Sequence, residues 1–116
     1  MHSIAKHILA QPALELCPDA IEQRIIRAYV GLLFRPPAGG SRTTTVGWLG
    51  PREIRLTETE PDSTLAGTPP FWVEVYCHVR GAVLDSCGCF EFDDDELESI
   101  VTLVMDAGRD IREGPN

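Results

Sequence analysis

Two groups of side chains in this sequence have residue types and spacings that could do chemistry. The first is a run of carboxylates between positions 91 and 98, here called the acidic run, made of Glu91, Asp93, Asp94, Asp95, Glu96 and Glu98. The second is a set of thiols with one imidazole, made of Cys77, His78, Cys87 and Cys89. The acidic run suits the binding of a basic protein surface, and the second set has the ligand types of a zinc site.

Helix capping explains part of the acidic run. Asp93 or Asp94 is placed to cap a helix, and each carboxylate near a helix N-terminus contributes about 0.3–1 kcal/mol. The run exceeds that need and its members repel one another, so we expect it to serve also as a docking surface for Lys and Arg side chains. It lacks the alternating Asp residues and the central Gly of an EF-hand loop, which argues against a calcium site.

The spacing of the cysteines argues against zinc. A two-residue turn at Arg80-Gly81 pairs Val79 with Ala82 and places Cys77 on the opposite face of the sheet from Cys87 and Cys89. His78 would then lie roughly 13 Å along the strand from Cys87. A small metal-binding regulator or enzyme using these four residues is therefore the alternative interpretation. The leading one has no cofactor and no catalytic residue, since nucleophile elbows, phosphate loops and zinc-protease motifs are absent from the sequence.

Three helical segments are predicted to frame the strands. Ile4 and Ile8 have helical spacing in a short segment, Ser3–Gln11, that Pro12 ends. Pro18 suits the first turn of a second helix, which should stop near Phe34. The last helix follows the acidic run, because apolar residues recur along one face, namely Leu97, Ile100, Val101, Val104 and Met105. Gly108 is its predicted end.

Two hairpins are predicted between the helices. Thr43–Leu49 and Glu53–Thr59 flank a turn at Gly50-Pro51, and Phe71–Phe92 folds back on itself at Arg80-Gly81. The predicted core face of the second hairpin contains Phe71, Val73, Val75, Cys77, Val79, Ala82, Leu84 and Phe90. Trp72 and Tyr76 lie on the other face, where they form a binding patch if helices cover one side of the sheet and core if helices cover both.

The predicted fold class is α+β, with a four-stranded, mainly antiparallel sheet, two N-terminal helical segments and one C-terminal helix. A chain of 116 residues is the size of one domain. Its parts are a helical segment (1–34), two hairpins (43–92), a C-terminal helix (93–108) and a polar tail (109–116).

Charge decides which partners are expected. Residues 1–55 carry 7 basic and 4 acidic side chains, whereas residues 56–116 carry 3 and 14, and the net charge is −8. The negative charge of the second half of the chain disfavours direct contact with nucleic acid or membrane and favours a protein with a basic surface as the partner. We expect a cytoplasmic protein, because Lys6 and His7 interrupt the apolar residues near the N-terminus and no apolar stretch approaches the roughly 20 residues needed to span a bilayer.

The leading functional interpretation is a non-catalytic protein-binding module that uses the acidic run, with Trp72 and Tyr76 as apolar anchors. One concrete form is inhibition of a nucleic-acid-handling protein, with carboxylates standing where phosphates would. In size and charge the chain is similar to the small acidic inhibitors of phages and mobile elements, among them anti-CRISPR proteins. A third interpretation is a structural or assembly subunit that forms a homodimer.

Overall fold

The computed structural model of the protein describes residues 13–35, 40–59 and 67–113. Its elements are the helix α1 (Pro18–Phe34), the strands β1 (Arg42–Leu49), β2 (Arg52–Glu58), β3 (Phe71–Cys77) and β4 (Ala82–Cys89), and the helix α2 (Asp94–Glu113). The strands form one antiparallel sheet in the order β1-β2-β3-β4. The α+β class and the antiparallel four-stranded sheet are confirmed.

The helix arrangement differs from the prediction. In the described part of the chain, one helix precedes the sheet and one follows it, and the segment Ser3–Gln11 lies outside the described residues. The predicted bounds of α1 are confirmed, with Pro18 in its first turn. Neither α1 nor α2 is long and apolar enough to cross a membrane.

The C-terminal helix extends beyond its predicted end. α2 continues from Gly108 to Glu113, so most of the predicted polar tail is helical backbone. Gly108 is buried, and a β-carbon there would lie 2.3 Å from Leu16 Cδ2. Close packing of the segment that precedes α1 therefore accounts for this glycine, and it does not end the helix.

The first hairpin forms as predicted. Leu49 pairs with Arg52 across the Gly50-Pro51 turn. Ile54 and Leu56 on β2 are completely buried. Their alternation with polar residues therefore identified the core face of this hairpin.

The register of the second hairpin differs from the prediction. Gly81 has the expected positive φ of 66°, but Cys77 pairs with Ala82 across a longer turn, and a bulge between Val75 and Tyr76 shifts the rest of β4 by one residue. A one-residue shift moves every following side chain to the other face. Phe90, which was predicted to be core, follows the bulge and is exposed. Three other residues predicted to be core are also exposed, because they lie in the turn, at the start of β4 or at the bulge itself, namely Val79, Ala82 and Leu84.

The shift places both β4 cysteines on the core face. Cys87 is opposite Val73 and Cys89 is opposite Phe71. Cys89 is completely buried and Cys87 packs against the core. The predicted register would have turned Ser86 and Gly88 inward in their place, so the bulge packs two apolar thiols on the core side and leaves the less apolar residues outside.

Both helices lie on the same face of the sheet. Ile54 and Val75 are neighbours on that face, and they belong to one core cluster with Ile25 of α1 and Ile100 of α2. Arg52 Nη1 also donates a hydrogen bond of 3.2 Å to the carbonyl of Ala107 in α2. The side chains on the opposite face of the sheet are covered by neither helix.

Candidate functional site

Two members of the acidic run hold the start of α2. The Asp93 carboxylate accepts a hydrogen bond of 2.9 Å from the Glu96 N–H. The Glu96 carboxylate accepts bonds from the N–H groups of Phe90, Glu91 and Phe92, at 2.9, 3.0 and 2.8 Å. This is a capping box extended over the preceding loop. Burial acts to raise the pKa of Glu96, but these N–H groups hold it below its ordinary value.

The loop held by Glu96 places an aromatic ring in the core. Phe92 has a φ of 54°, which is unusual for a residue other than glycine. Its side chain is buried, with ring-centroid distances of 4.4 Å to Tyr29 and 5.3 Å to Phe71. Asp93 and Glu96 therefore have a structural role in this loop, and neither is free to bind a partner without loss of these bonds.

Two other members of the acidic run line a groove between the helices. The groove has a volume of about 510 Å³ and is lined by Pro18, Glu22, Asp94, Glu98, Val101, Thr102, Met105 and Arg109. Asp94 and Glu98 are one helical turn apart and share a face of α2. Glu22 comes from α1, so carboxylates of two helices border the same space. Glu91 and Asp95 are exposed and do not line the groove.

The groove combines negative charge with apolar surface. Glu22, Asp94 and Glu98 form no ion pair with a described residue. Like charges at positions i and i+4 destabilise a helix by about 0.2–0.5 kcal/mol, so Asp94 and Glu98 carry a small cost that a bound cation would remove. Val101 and Met105 contribute apolar atoms beside them. A Lys or Arg side chain matches this arrangement, because its stem is apolar and its head is cationic.

The structure separates the predicted aromatic anchors from the acidic run. Trp72 and Tyr76 lie on the face of the sheet opposite α1 and α2, and both are half-buried. One flat partner surface therefore cannot contact the groove and these rings together. Neither α1 nor α2 covers them, so the two described helices do not make these rings part of the core.

The face of the sheet opposite the helices contains a polar cluster that the sequence did not reveal. Glu53 is 7% exposed. Its carboxylate accepts hydrogen bonds from Thr45 Oγ1 and from Arg55 Nε at 3.1 Å, and lies 2.8 Å from His78 Nε2. Burial acts to raise the pKa of Glu53, but these partners hold it below its ordinary value.

Aromatic rings surround this cluster. The Arg55 guanidinium lies 3.9 Å from the Tyr76 ring centroid, and the His78 ring is 5.0 Å from Trp48 and 4.8 Å from Tyr76. Trp48 Nε1 is buried and has no hydrogen-bond partner among the residues that the structure describes. Alternation along β2 places Glu53 on the face opposite Ile54 and Leu56, and only the pairing of the strands brings its partners around it.

The structure does not bring the four residues of the cysteine and histidine set together at one place. Cys77 shares the core face with Cys87 and Cys89, contrary to the prediction, but it pairs near the other end of β3. His78 is engaged with Glu53. Among the residues that the structure describes, no group of three or more His, Cys, Asp or Glu side chains could hold a metal ion.

Thiol chemistry also differs between these cysteines. Burial, with the nearby Cys87 and Glu96, raises the pKa of Cys89 to about 12. Its thiol therefore stays protonated at neutral pH, a poor state for a nucleophile or a metal ligand. N–H groups of Arg80 and Val79 lower the pKa of the Cys77 thiol against the opposing effect of its burial.

Comparisons with known proteins give no match to any family model, to any curated protein or to any solved structure.

Proposed function

We propose that this chain is a non-catalytic binding module that holds a basic segment of another protein in the groove between α1 and α2. The observation that supports this is the convergence of Glu22, Asp94 and Glu98, from two helices, around the apolar atoms of Val101 and Met105. A partner Lys or Arg would place its head among the carboxylates and its stem on the apolar atoms.

The distribution of charge supports the same partner class. The net charge of −8 is concentrated in the second half of the chain, and a field of that sign steers basic proteins towards the surface. The form we propose is inhibition of a nucleic-acid-handling protein, whose basic surface would otherwise contact phosphates. Exposed carboxylates outside the groove, such as Glu91 and Asp95, would then increase the association rate without fixing the orientation of the complex.

The test compares two variants that remove the same charge at different places. Asp94→Asn with Glu98→Gln neutralises the groove, and Glu91→Gln with Asp95→Asn neutralises exposed acids outside it. Both variants retain Asp93 and Glu96, so the capping bonds remain. The probe is a synthetic peptide that places Arg and Leu residues at helical spacing. Its binding is measured by isothermal titration calorimetry at about 0.1 M and about 1 M salt.

The groove variant is expected to bind the peptide at least about tenfold more weakly, which corresponds to about 1.4 kcal/mol. The second variant is expected to lose less than about threefold, and high salt should weaken binding by the parent. Equal losses in the two variants would show that net charge alone attracts the peptide and would refute the groove as a site.

A further inference from the structure

A small cavity, here called the bulge cavity, lies between the edge strand β4 and the helix α2. Its volume is about 170 Å³. Val75 pairs with Asp85 and Tyr76 pairs with Val83, so Leu84 is the extra residue of the bulge in β4. Leu84 and Asp85 both line the cavity. The bulge therefore forms part of its wall, and bulges of this kind are common beside functional sites.

The Asp85 carboxylate stands on the helix-covered face of the sheet. Partners across an antiparallel pair share a face, and Asp85 is opposite the buried Val75. Its Oδ1 accepts a hydrogen bond of 2.9 Å from the Ser86 N–H, and it forms no ion pair with a described residue. An inward charge on an edge strand discourages pairing with another sheet, but that role requires no cavity beside the carboxylate.

A guanidinium group borders the same cavity from β2. Arg52 Nη1 donates a hydrogen bond of 3.2 Å to the Ala107 carbonyl, which holds this side chain against α2. Asp106 also lines the cavity, but its Oδ1 lies 2.5 Å from Nη2 of Arg109, which does not line it. The cavity thus presents one cation, Arg52, and one anion, Asp85, that are not paired with each other. Apolar side chains lie beside them, namely Val75, Leu84 and Leu103.

We propose that the bulge cavity binds a free α-amino acid with an aliphatic side chain. Its ammonium group lies at Asp85, its carboxylate lies at Arg52, and its side chain packs on the apolar residues. A guanidinium has five N–H donors and bonds strongly to carboxylates, so the bond to Ala107 is compatible with a second acceptor. This site goes beyond the proposed function, because it does not involve the groove between α1 and α2.

The size and the charge of the cavity select this class of ligand. A cavity of about 150 Å³ holds a molecule the size of benzene, whereas pockets for drug-sized molecules measure about 300–1,000 Å³. The bulge cavity, at about 170 Å³, therefore suits an amino acid between alanine and leucine in size, and it is too small for a nucleotide or a peptide. A monoamine of this size would meet a like charge at Arg52, and a monocarboxylate would meet one at Asp85.

The experiment is titration of the isotopically labelled full chain with L-leucine, followed through the NMR chemical shifts of the backbone amides. Saturable shifts are expected at Leu84, Asp85 and Leu103, with a dissociation constant of about 0.1–1 mM for a ligand of this size. Two analogues of leucine that lack one charge are the ligand controls. Isopentylamine lacks the carboxylate and isocaproate lacks the ammonium group, and each should bind at least about tenfold more weakly.

A pair of variants tests the residue that holds the ammonium group. Asp85→Asn removes the charge and retains an oxygen for the Ser86 N–H, and it should weaken leucine binding at least about tenfold. Asp106→Asn is the matched control, because it removes the same charge from the same cavity at a carboxylate already paired with Arg109. It should change the affinity by less than about threefold. The analogue titrations use the parent protein, so they test the proposal even if a variant does not fold.

Each other result overturns the proposal. The absence of saturable shifts up to about 10 mM leucine would show that the cavity binds no amino acid. Equal affinities for leucine and either analogue would show that the site does not recognise both charges. Equal losses in Asp85→Asn and Asp106→Asn would show that net charge alone attracts the ligand. Shifts confined to Glu22 and Val101 would place leucine in the groove between the helices.

Discussion

Glu96 is the residue whose removal should most clearly separate structure from binding in the acidic run. Its carboxylate accepts three backbone hydrogen bonds, at 2.8, 2.9 and 3.0 Å. At a half-buried site each such bond stabilises the fold by about 0.5–1 kcal/mol net. Glu96→Ala should therefore lower the free energy of unfolding by about 1.5–3 kcal/mol, the sum over these bonds.

The assay is urea denaturation followed by tryptophan fluorescence, which reports on Trp48 and Trp72. Asp95→Ala is the control, because Asp95 is the exposed neighbour of Glu96 and its side chain makes no such bond. The free energy of unfolding of Asp95→Ala should fall only by about the helix-dipole contribution of one carboxylate, about 0.3–1 kcal/mol.

The pH dependence provides a second measurement of the same residue. The pKa of Glu96 in the folded protein is below its ordinary value of 4.5, so its ionised form is favoured by folding. The stabilisation is fully present above pH 4.5 and is lost as the pH falls below that value. Glu96→Ala should therefore be less sensitive than the parent to acid below that pH. If Glu96→Ala is as stable as the parent at pH 7, and if its free energy of unfolding changes with acid in the same way as that of the parent, the capping interpretation is refuted.

Three further outcomes are expected. Ile100→Ala, at a completely buried site, should lower the free energy of unfolding by about 2–4 kcal/mol. Thr102→Ala, at an exposed site on the same helix, should lower it by less than about 0.5 kcal/mol. A similarly small loss for Ile100→Ala in urea denaturation would contradict the packing of α2. A thiol reagent at pH 8 should label the exposed Cys17 in the folded protein and Cys89 only after unfolding, because burial and nearby groups raise the pKa of Cys89 to about 12. Mass spectrometry of the labelled peptides shows which cysteine has reacted, and labelling of Cys89 in the folded protein would contradict its burial. Gly88→Ala should cost about 1–3 kcal/mol, because its β-carbon would lie 2.6 Å from a proline ring carbon; an unchanged melting temperature would contradict this.

Local patterns in the sequence were sufficient to predict most elements. Pro18 and the apolar spacing of α1 predicted a helix whose bounds the structure reproduces. Ile54 and Leu56 alternate with polar residues and identified the core face of β2. These features depend on interactions between residues close in sequence, so they can be recognised without knowledge of the fold.

The face of β4 could not be predicted in this way. A bulge opposite β3 moves Cys87 and Cys89 onto the core face, and the gain from packing both thiols there exists only once the helices cover that face. The C-terminal end of α2 could not be predicted for the same reason. Glycine has a low helix propensity, but Gly108 packs against Leu16 and the helix continues through it. In both cases packing between distant residues outweighed a local preference.

The candidate site also depends partly on sequence and partly on tertiary structure. The sequence by itself determined that the chain is acidic, that its acid is concentrated before the last helix, and that a carboxylate would cap that helix. Only the tertiary structure decided which carboxylates hold the loop and which border a groove, because Glu22 meets Asp94 and Glu98 only when α1 and α2 pack side by side. It likewise enclosed Glu53 among Thr45, Arg55 and His78, since these side chains converge only when the strands pair.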